Sequence, residues 1–182
     1  MKSNKRLFRA HRDANGPWWF SSNGNGRFDL IGKQGTCYLA DSPEAALRES
    51  LGRVVEAGVV DIAELADRVI SNVAVSKAMS LADTTSAKAA NHGITREIST
   101  ITPYDLPKAW AAAWADVGFD GIRYAGRFST SPTHRCCALF GPAGESSEEA
   151  DPAPIPAATV AATAGIRAVN RPATVTIVPP PV

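Results

Sequence analysis

Apolar and polar positions alternate in readable periods along the first three quarters of the chain. Gly35-Thr36-Cys37-Tyr38-Leu39-Ala40 is rich in β-formers and predicts a short strand. Asp41-Ser42-Pro43-Glu44 then predicts a helix start. Ser42 can cap it, Pro43 suits its first position, and Glu44 suits the positive end of its dipole. Leu47, Leu51 and Val54 or Val55 supply that helix with a buried stripe. Arg68 to Val75 reads as a strand. Leu106 to Val117 reads as a second helix, with Trp110, Trp114 and Val117 on one face and Gly118 as its stop. Phe119 to Tyr124 and Cys136 to Phe140 read as two late strands, and Leu7-Phe8-Arg9-Ala10 as a first strand exposing Arg9. Helices interspersed irregularly among strands place the chain in the α+β class rather than among regular βαβ repeats.

The pattern breaks near Gly141. Beyond it the chain becomes rich in Pro and Ala, and eight of the thirteen prolines lie at or after Pro142. Proline fixes φ and removes a backbone donor. The expectation is therefore one folded domain over residues 5–143, followed by a mostly disordered tail over 144–182.

Composition narrows the function. Nineteen basic and eighteen acidic residues leave a net charge of +1, and hydrophobic residues make up 45% of the 182. That balance argues against wholesale disorder and against a strongly basic nucleic-acid binder. No run approaches the roughly 20 apolar residues of a membrane span. The N-terminal Met1-Lys2-Ser3-Asn4-Lys5-Arg6 run lacks the apolar core of a secretory signal, so a cytoplasmic protein is expected. Cys37, Cys136 and Cys137 make a poor disulfide framework. With His11, His92 and His134 scattered, no metal site is expected.

The residues that could carry chemistry are few. Gly24-Asn25-Gly26-Arg27-Phe28 is a flexible turn whose Arg27 presents a planar fork suited to phosphate, or is a plain hairpin turn with a solvated arginine. Glu49 lies in the first helix and is either a surface partner of Arg53 at i, i+4 or a site carboxylate. Tyr38 is packing or a stacking platform. Arg9, Arg127 after Tyr124-Ala125-Gly126, and the Trp18-Trp19-Phe20 cluster complete the set. No phosphate loop, H-E-x-x-H or G-x-S-x-G occurs. Scattered arginines, one helical glutamate and aromatics suit an anionic, nucleotide-like ligand.

The order of these pieces resembles the RES domain family, named for an arginine, a glutamate and a serine. The matching segments are Phe8-Arg9, Gly26-Arg27-Phe28, Tyr38-Leu39-Ala40, Ser42-Pro43-Glu44 through Arg48-Glu49, Gly118-Phe119-Asp120-Gly121-Ile122-Arg123-Tyr124 and Ala138-Leu139-Phe140. The resemblance spans about residues 7–141. It implies a fold similar to ADP-ribosyltransferase toxins and an NAD-degrading toxin acting on the nicotinamide–ribose bond, as glycohydrolase or phosphorylase. It further implies an Xre-type helix-turn-helix antitoxin as partner, NAD as substrate rather than bound cofactor, and inorganic phosphate as a co-substrate of some members. A homo-oligomer is compatible with it.

By the same resemblance Arg27 and Glu49 are catalytic, while Arg9, Tyr38 and Arg127 bind substrate. One position departs from the pattern. The family serine, two residues after the tyrosine, is here Gly126, with Ser129 and Ser131 nearby. That departure leaves open a weakened enzyme, a different acceptor, or an impaired module that binds NAD or an antitoxin. Protein ADP-ribosylation is the alternative activity.

Overall fold

A computed structural model describes residues 1–129, 131 and 133–171. In chain order its strands are β1 (Arg6–Arg12), β2 (Trp19–Phe20), β3 (Gln34–Ala40), β4 (Val59–Asp61), β5 (Arg68–Ala74), β6 (Leu81–Asp83), β7 (Gly121–Ala125), β8 (Arg135–Pro142), β9 (Gly144–Glu145), β10 (Ile155–Pro156) and β11 (Arg167–Val169). The helices are α1 (Pro43–Leu51), α2 (Asp105–Asp116) and α3 (Ala157–Thr163). Among the described residues, seven strands form one mixed sheet in the order β10-β5-β1-β3-β8-β7-β6, antiparallel except for β6 against β7. Two small pairs, β4 with β11 and β2 with β9, lie outside it. The fold is α+β, as the mixed element order predicts.

Strand alternation sorts the core onto the two faces of the sheet. Phe8, Ala10, Tyr38, Ala40, Cys136 and Ala138 face one side, with Phe28, Ala45, Trp114 and Tyr124. Leu7, Cys37, Leu39, Cys137 and Leu139 face the other, with Trp18, Phe20 and Met79. The adjacent Cys136 and Cys137 therefore point to opposite faces. All three thiols are free and buried, and burial pushes Cys37 and Cys137 up to about 11.

Helix α1 begins as its sequence dictates. The Ser42 hydroxyl accepts from the Ala45 N–H at 3.1 Å, and Pro43 occupies the first turn. Leu47 and Leu51 are buried, whereas Val54 lies beyond the helix and is exposed. In α2, Trp114 is buried and stacks with the half-buried Trp110 at 5.2 Å between centroids. Val117 does not continue that stripe. The helix stops at Asp116, and Val117 is 73% exposed.

The expected tail is the largest difference. Residues 144–171 are not a disordered extension but supply β9, β10, α3 and β11. Ala157, Val160 and Ala161 are buried with Leu47, Leu51, Val60 and Ile70, and Ile166 joins them. Two physical reasons outweigh the proline content. Pro156 sits on the sheet's edge strand, where a missing donor costs no ladder hydrogen bond. The Ala-rich run after it has high helix propensity and repeats its apolar positions at i, i+3 and i+4. The rest of the expected tail, residues 172–182, lies outside the described residues.

Candidate functional site

A cavity of about 330 Å³ opens on the sheet face that carries Tyr38 and Ala40, bounded by α1 and by the turn before Phe28. The turn is held by a buried carboxylate. Asp29 accepts from the Gly26 N–H at 2.9 Å and from the Tyr38 hydroxyl at 2.8 Å. The Tyr38 oxygen in turn accepts from the Phe28 N–H at 2.8 Å. Position 26 must be glycine here, because a Cβ would collide with the Asp29 carboxylate and the Tyr38 hydroxyl. Lys108 of α2 ties the turn down from outside by donating to the Gly24 carbonyl at 3.0 Å.

This lock has a measurable consequence. Tyr38→Phe removes the hydroxyl and leaves a carboxylate oxygen and the Phe28 N–H short of a partner, at a cost of roughly 1–3 kcal/mol. The expected result is a thermal midpoint lower by several degrees, on the scale of about 2–4 °C per kcal/mol for a chain this size. An unchanged midpoint would show that the lock carries no stability.

Arg27 leaves the turn with its side chain buried. Its Nη1 donates to the Ile101 carbonyl at 2.6 Å and the Ile98 carbonyl at 3.4 Å, and its guanidinium lies 4.5 Å from the centre of the Tyr104 ring. Those contacts fix the fork before any ligand arrives. Burial lowers its pKa, offset first by Tyr104.

Glu49 reaches the same cavity from α1, one turn beyond Ala46. It is not half of a surface pair: Arg48 pairs with Glu44 at 2.8 Å, and Arg53 is exposed outside the cavity. Instead Glu49 Oε1 accepts from the Phe128 N–H at 2.9 Å. Burial pushes its pKa up. The backbone N–H groups of Phe128 and Arg127, then the Arg27 and Arg127 charges, oppose that shift. Arg127 sits across from it over the Phe128 ring at 5.3 Å, and its buried Nη1 finds no hydrogen-bond partner among the described residues.

The structure thus brings Arg27, Glu49, Tyr38 and Arg127 together around one cavity. It does not bring the Arg9 guanidinium with them. Alternation along β1 turns Arg9 to the face of Leu7. There its Nη1 donates to the Pro17 and Trp19 carbonyls at 2.7 Å each and to Cys37 Sγ at 3.0 Å. Arg9 is among the residues that border the cavity, while its guanidinium clamps the segment before β2. The expectation that Arg9 binds substrate or stands exposed is corrected accordingly. The Trp18-Trp19-Phe20 cluster is no ligand wall either: Trp18 and Phe20 are core, and Trp19 is half exposed.

Asp29 and Tyr104 escaped the sequence reading. The spacing of Asp29, two residues after Arg27 within a turn, was the one available signal for it. Tyr104 and Tyr124 reach the site only through tertiary packing, Tyr124 against Phe28 at 5.1 Å. Gly126 lies against Glu49, where a Cβ would stand 3.2 Å from Oε1 and 3.4 Å from Cys136 Sγ. Ser129 does not line this cavity, and its hydroxyl pairs with His134 Nδ1 at 2.6 Å. Among the described residues no three His, Cys, Asp or Glu side chains gather as a metal site, and no helix is long and apolar enough to cross a membrane.

Comparison with known proteins accords with this geometry. No curated protein matches the chain. Among solved structures, a chain from the crystal structure of the M. tuberculosis MbcT–MbcA toxin–antitoxin complex superposes with a TM-score of 0.64 at 13% identity, covering 88% of each chain. That likeness establishes a shared fold. The profile of the RES domain matches residues 6–159, a span that includes the turn, the Tyr38 strand, the Glu49 helix and the start of α3. On that match, the chain belongs to the RES domain family.

Proposed function

We propose that this protein is the toxin of a toxin–antitoxin pair and cleaves the nicotinamide–ribose bond of NAD. The observation that carries the reading is the convergence of Arg27 and Glu49, from separate elements, on one cavity walled by Tyr38, Tyr104 and Phe128. The family resemblance supplies NAD as the substrate, and the fold shared with a chain of a toxin–antitoxin complex supplies the toxin–antitoxin setting.

The reaction suits so sparse a site. The bond from the anomeric carbon to the pyridinium nitrogen breaks with its electron pair going to nitrogen, so nicotinamide leaves as a neutral base and the positive charge passes to the ribose. No general acid is required, so the second carboxylate of ordinary glycosidases is unnecessary. Ionised Glu49 offsets the developing oxocarbenium charge and holds the ribose hydroxyls. Arg27, fixed by two carbonyls and Tyr104, grips the phosphate beside that ribose. An aromatic wall takes the nicotinamide ring. Water or inorganic phosphate then bonds to the anomeric carbon, and the acceptor's proton passes to solvent. The finer likeness to the ADP-ribosyltransferase fold, a cytoplasmic setting and an Xre-type antitoxin partner belong to the same reading.

Purified protein should consume NAD, with and without millimolar phosphate, and lose that activity in Arg27→Ala and Glu49→Ala. Phosphate dependence names the acceptor. Label appearing on protein would instead identify ADP-ribosyl transfer. A second reading rests on Gly126. Folded protein that binds NAD without consuming it, and gains turnover in Gly126→Ser, is an impaired module lacking the hydroxyl beside Glu49.

A further inference from the structure

The position that carries a serine in the family pattern is Gly126, and it does not line the cavity. A hydroxyl does stand at the cavity wall, on a different element. Ala46, Glu49 and Ser50 are spaced i, i+3 and i+4 on α1, so one face of the helix presents all three to the cavity. Among the described residues Ser50 is the sole aliphatic hydroxyl in that lining. The Tyr38 hydroxyl is no rival, since it already donates to Asp29 and accepts from the Phe28 N–H.

The hydrogen-bonding state of Ser50 is fixed from behind. Arg68 on β5 is held through its Nε to the Glu64 carbonyl at 2.7 Å and through its Nη2 to the Glu64 carboxylate at 3.4 Å. Its Nη1 donates to Ser50 Oγ at 3.0 Å, and Arg68 itself does not line the cavity. A guanidinium has donors only, so Ser50 Oγ is the acceptor in this bond and its own proton is left to donate. Helical serines and threonines often return that proton to a carbonyl one turn back, as Thr163 does to Thr159 at 3.3 Å. Ser50 makes no such bond and has no acceptor for its proton among the described residues. The positive charge on Arg68 also strengthens the hydroxyl as a donor.

Glu49 and Ser50 are thus an acceptor and a donor side by side. An ionised carboxylate can only accept, and it takes the proton of a sugar hydroxyl. The oxygen of that hydroxyl keeps lone pairs that call for a donor. Resting on the NAD-cleavage reading of this cavity, we infer that Ser50 donates to the oxygen of the nicotinamide-side ribose hydroxyl whose proton Glu49 accepts. The pair reads one hydroxyl at both its proton and its lone pair. Ser50 therefore sets a preference for ribose over a deoxy sugar, because a site built to hydrogen-bond a hydroxyl is left unpaired by a ligand without one.

The test is a cycle between side chain and substrate in the full chain. Ser50→Ala and Ser50→Thr are compared with the wild type on NAD and on the two NAD analogues that each lack one hydroxyl of the nicotinamide-side ribose. Thermal melting verifies that each variant is folded. The readout is kcat/KM where NAD is consumed and Kd where it is only bound. Ser50→Ala is expected to lose about three- to tenfold on NAD, the scale of one hydrogen bond, while Ser50→Thr, which keeps the hydroxyl, stays near the wild type. On the analogue lacking the contacted hydroxyl, wild type and Ser50→Ala should be equal, since the bond is already gone. Ser50→Ala unchanged on NAD overturns the assignment. An equal loss on NAD and on both analogues also overturns it, in favour of a structural role. NAD bound but not cleaved, with the coupling intact, supports Ser50 and fails only the cleavage reading. Folded wild type that neither binds nor consumes NAD overturns both.

Discussion

Glu49→Ala is expected to lower NAD turnover by about 10²-fold or more, the scale for losing a preorganised electrostatic partner of a transition state. Among the described residues Glu49 is the sole carboxylate lining the cavity, so none of them substitutes for it there. The substitution also removes the acceptor of the Phe128 N–H, and Glu49→Gln separates the two effects by keeping an oxygen there. Both variants should lose turnover, while Gln keeps the local hydrogen bond. Turnover unchanged in Glu49→Gln would sink the assignment.

The same residue predicts a pH dependence. Burial raises the Glu49 pKa above the ordinary carboxyl range, against the opposing pull of Phe128, Arg127 and Arg27. Ionised Glu49 is the working form, so kcat/KM should fall as pH drops through that raised pKa, at a higher pH than an exposed glutamate would impose. For stability the sign is reversed. The folded chain holds this proton more tightly than the unfolded chain does. The stabilisation this confers is present below the unfolded pKa and is lost as pH rises through the folded one. Glu49→Gln should therefore flatten both profiles near that limb.

Deleting residues 144–182 is expected to leave a chain that no longer folds stably. The deletion removes Val160 and Ile166, each contributing about 1.5–3 kcal/mol through burial, and exposes Leu47, Leu51, Val60 and Ile70 to water. It also removes the Ala164 carbonyl that accepts from Arg48 at 3.1 Å. The sum is comparable to the roughly 5–15 kcal/mol that holds a whole domain together. Because Leu47 and Glu49 share α1, the site should be lost with the core. Val160→Asp places an unpaired charge in the same layer and should behave similarly in denaturant unfolding, leaving the chain length intact. A cooperative transition of wild-type midpoint in both variants would show that α3 is dispensable.

Several elements were legible because local chemistry and tertiary environment agree on them. The strand around Tyr38 and the capped start of α1 follow from β-formers, then Ser42 and Pro43, and the structure places both within a residue of expectation. The α3 region was misread because composition was weighed above periodicity. A few prolines on an edge and in loops do not prevent an alanine-rich run between them from docking. Arg9 was misassigned for a subtler reason. Its neighbour Phe8 faces the cavity side, so the next residue in a strand necessarily faces away.

Residue order alone determined which side chains were candidates for chemistry: an arginine leaving a glycine turn, a tyrosine in a strand, and a glutamate two turns into a capped helix. These depend on short-range geometry, which a sequence carries almost in full. Tertiary structure alone decided that Glu49 is buried against the Phe128 N–H rather than paired on the surface. It also decided that Asp29 and Tyr104 hold the turn and Arg27, and that Arg68 reaches Ser50 at the cavity wall. Those contacts join positions up to 79 residues apart, and which of them form depends on how the sheet and its helices pack together.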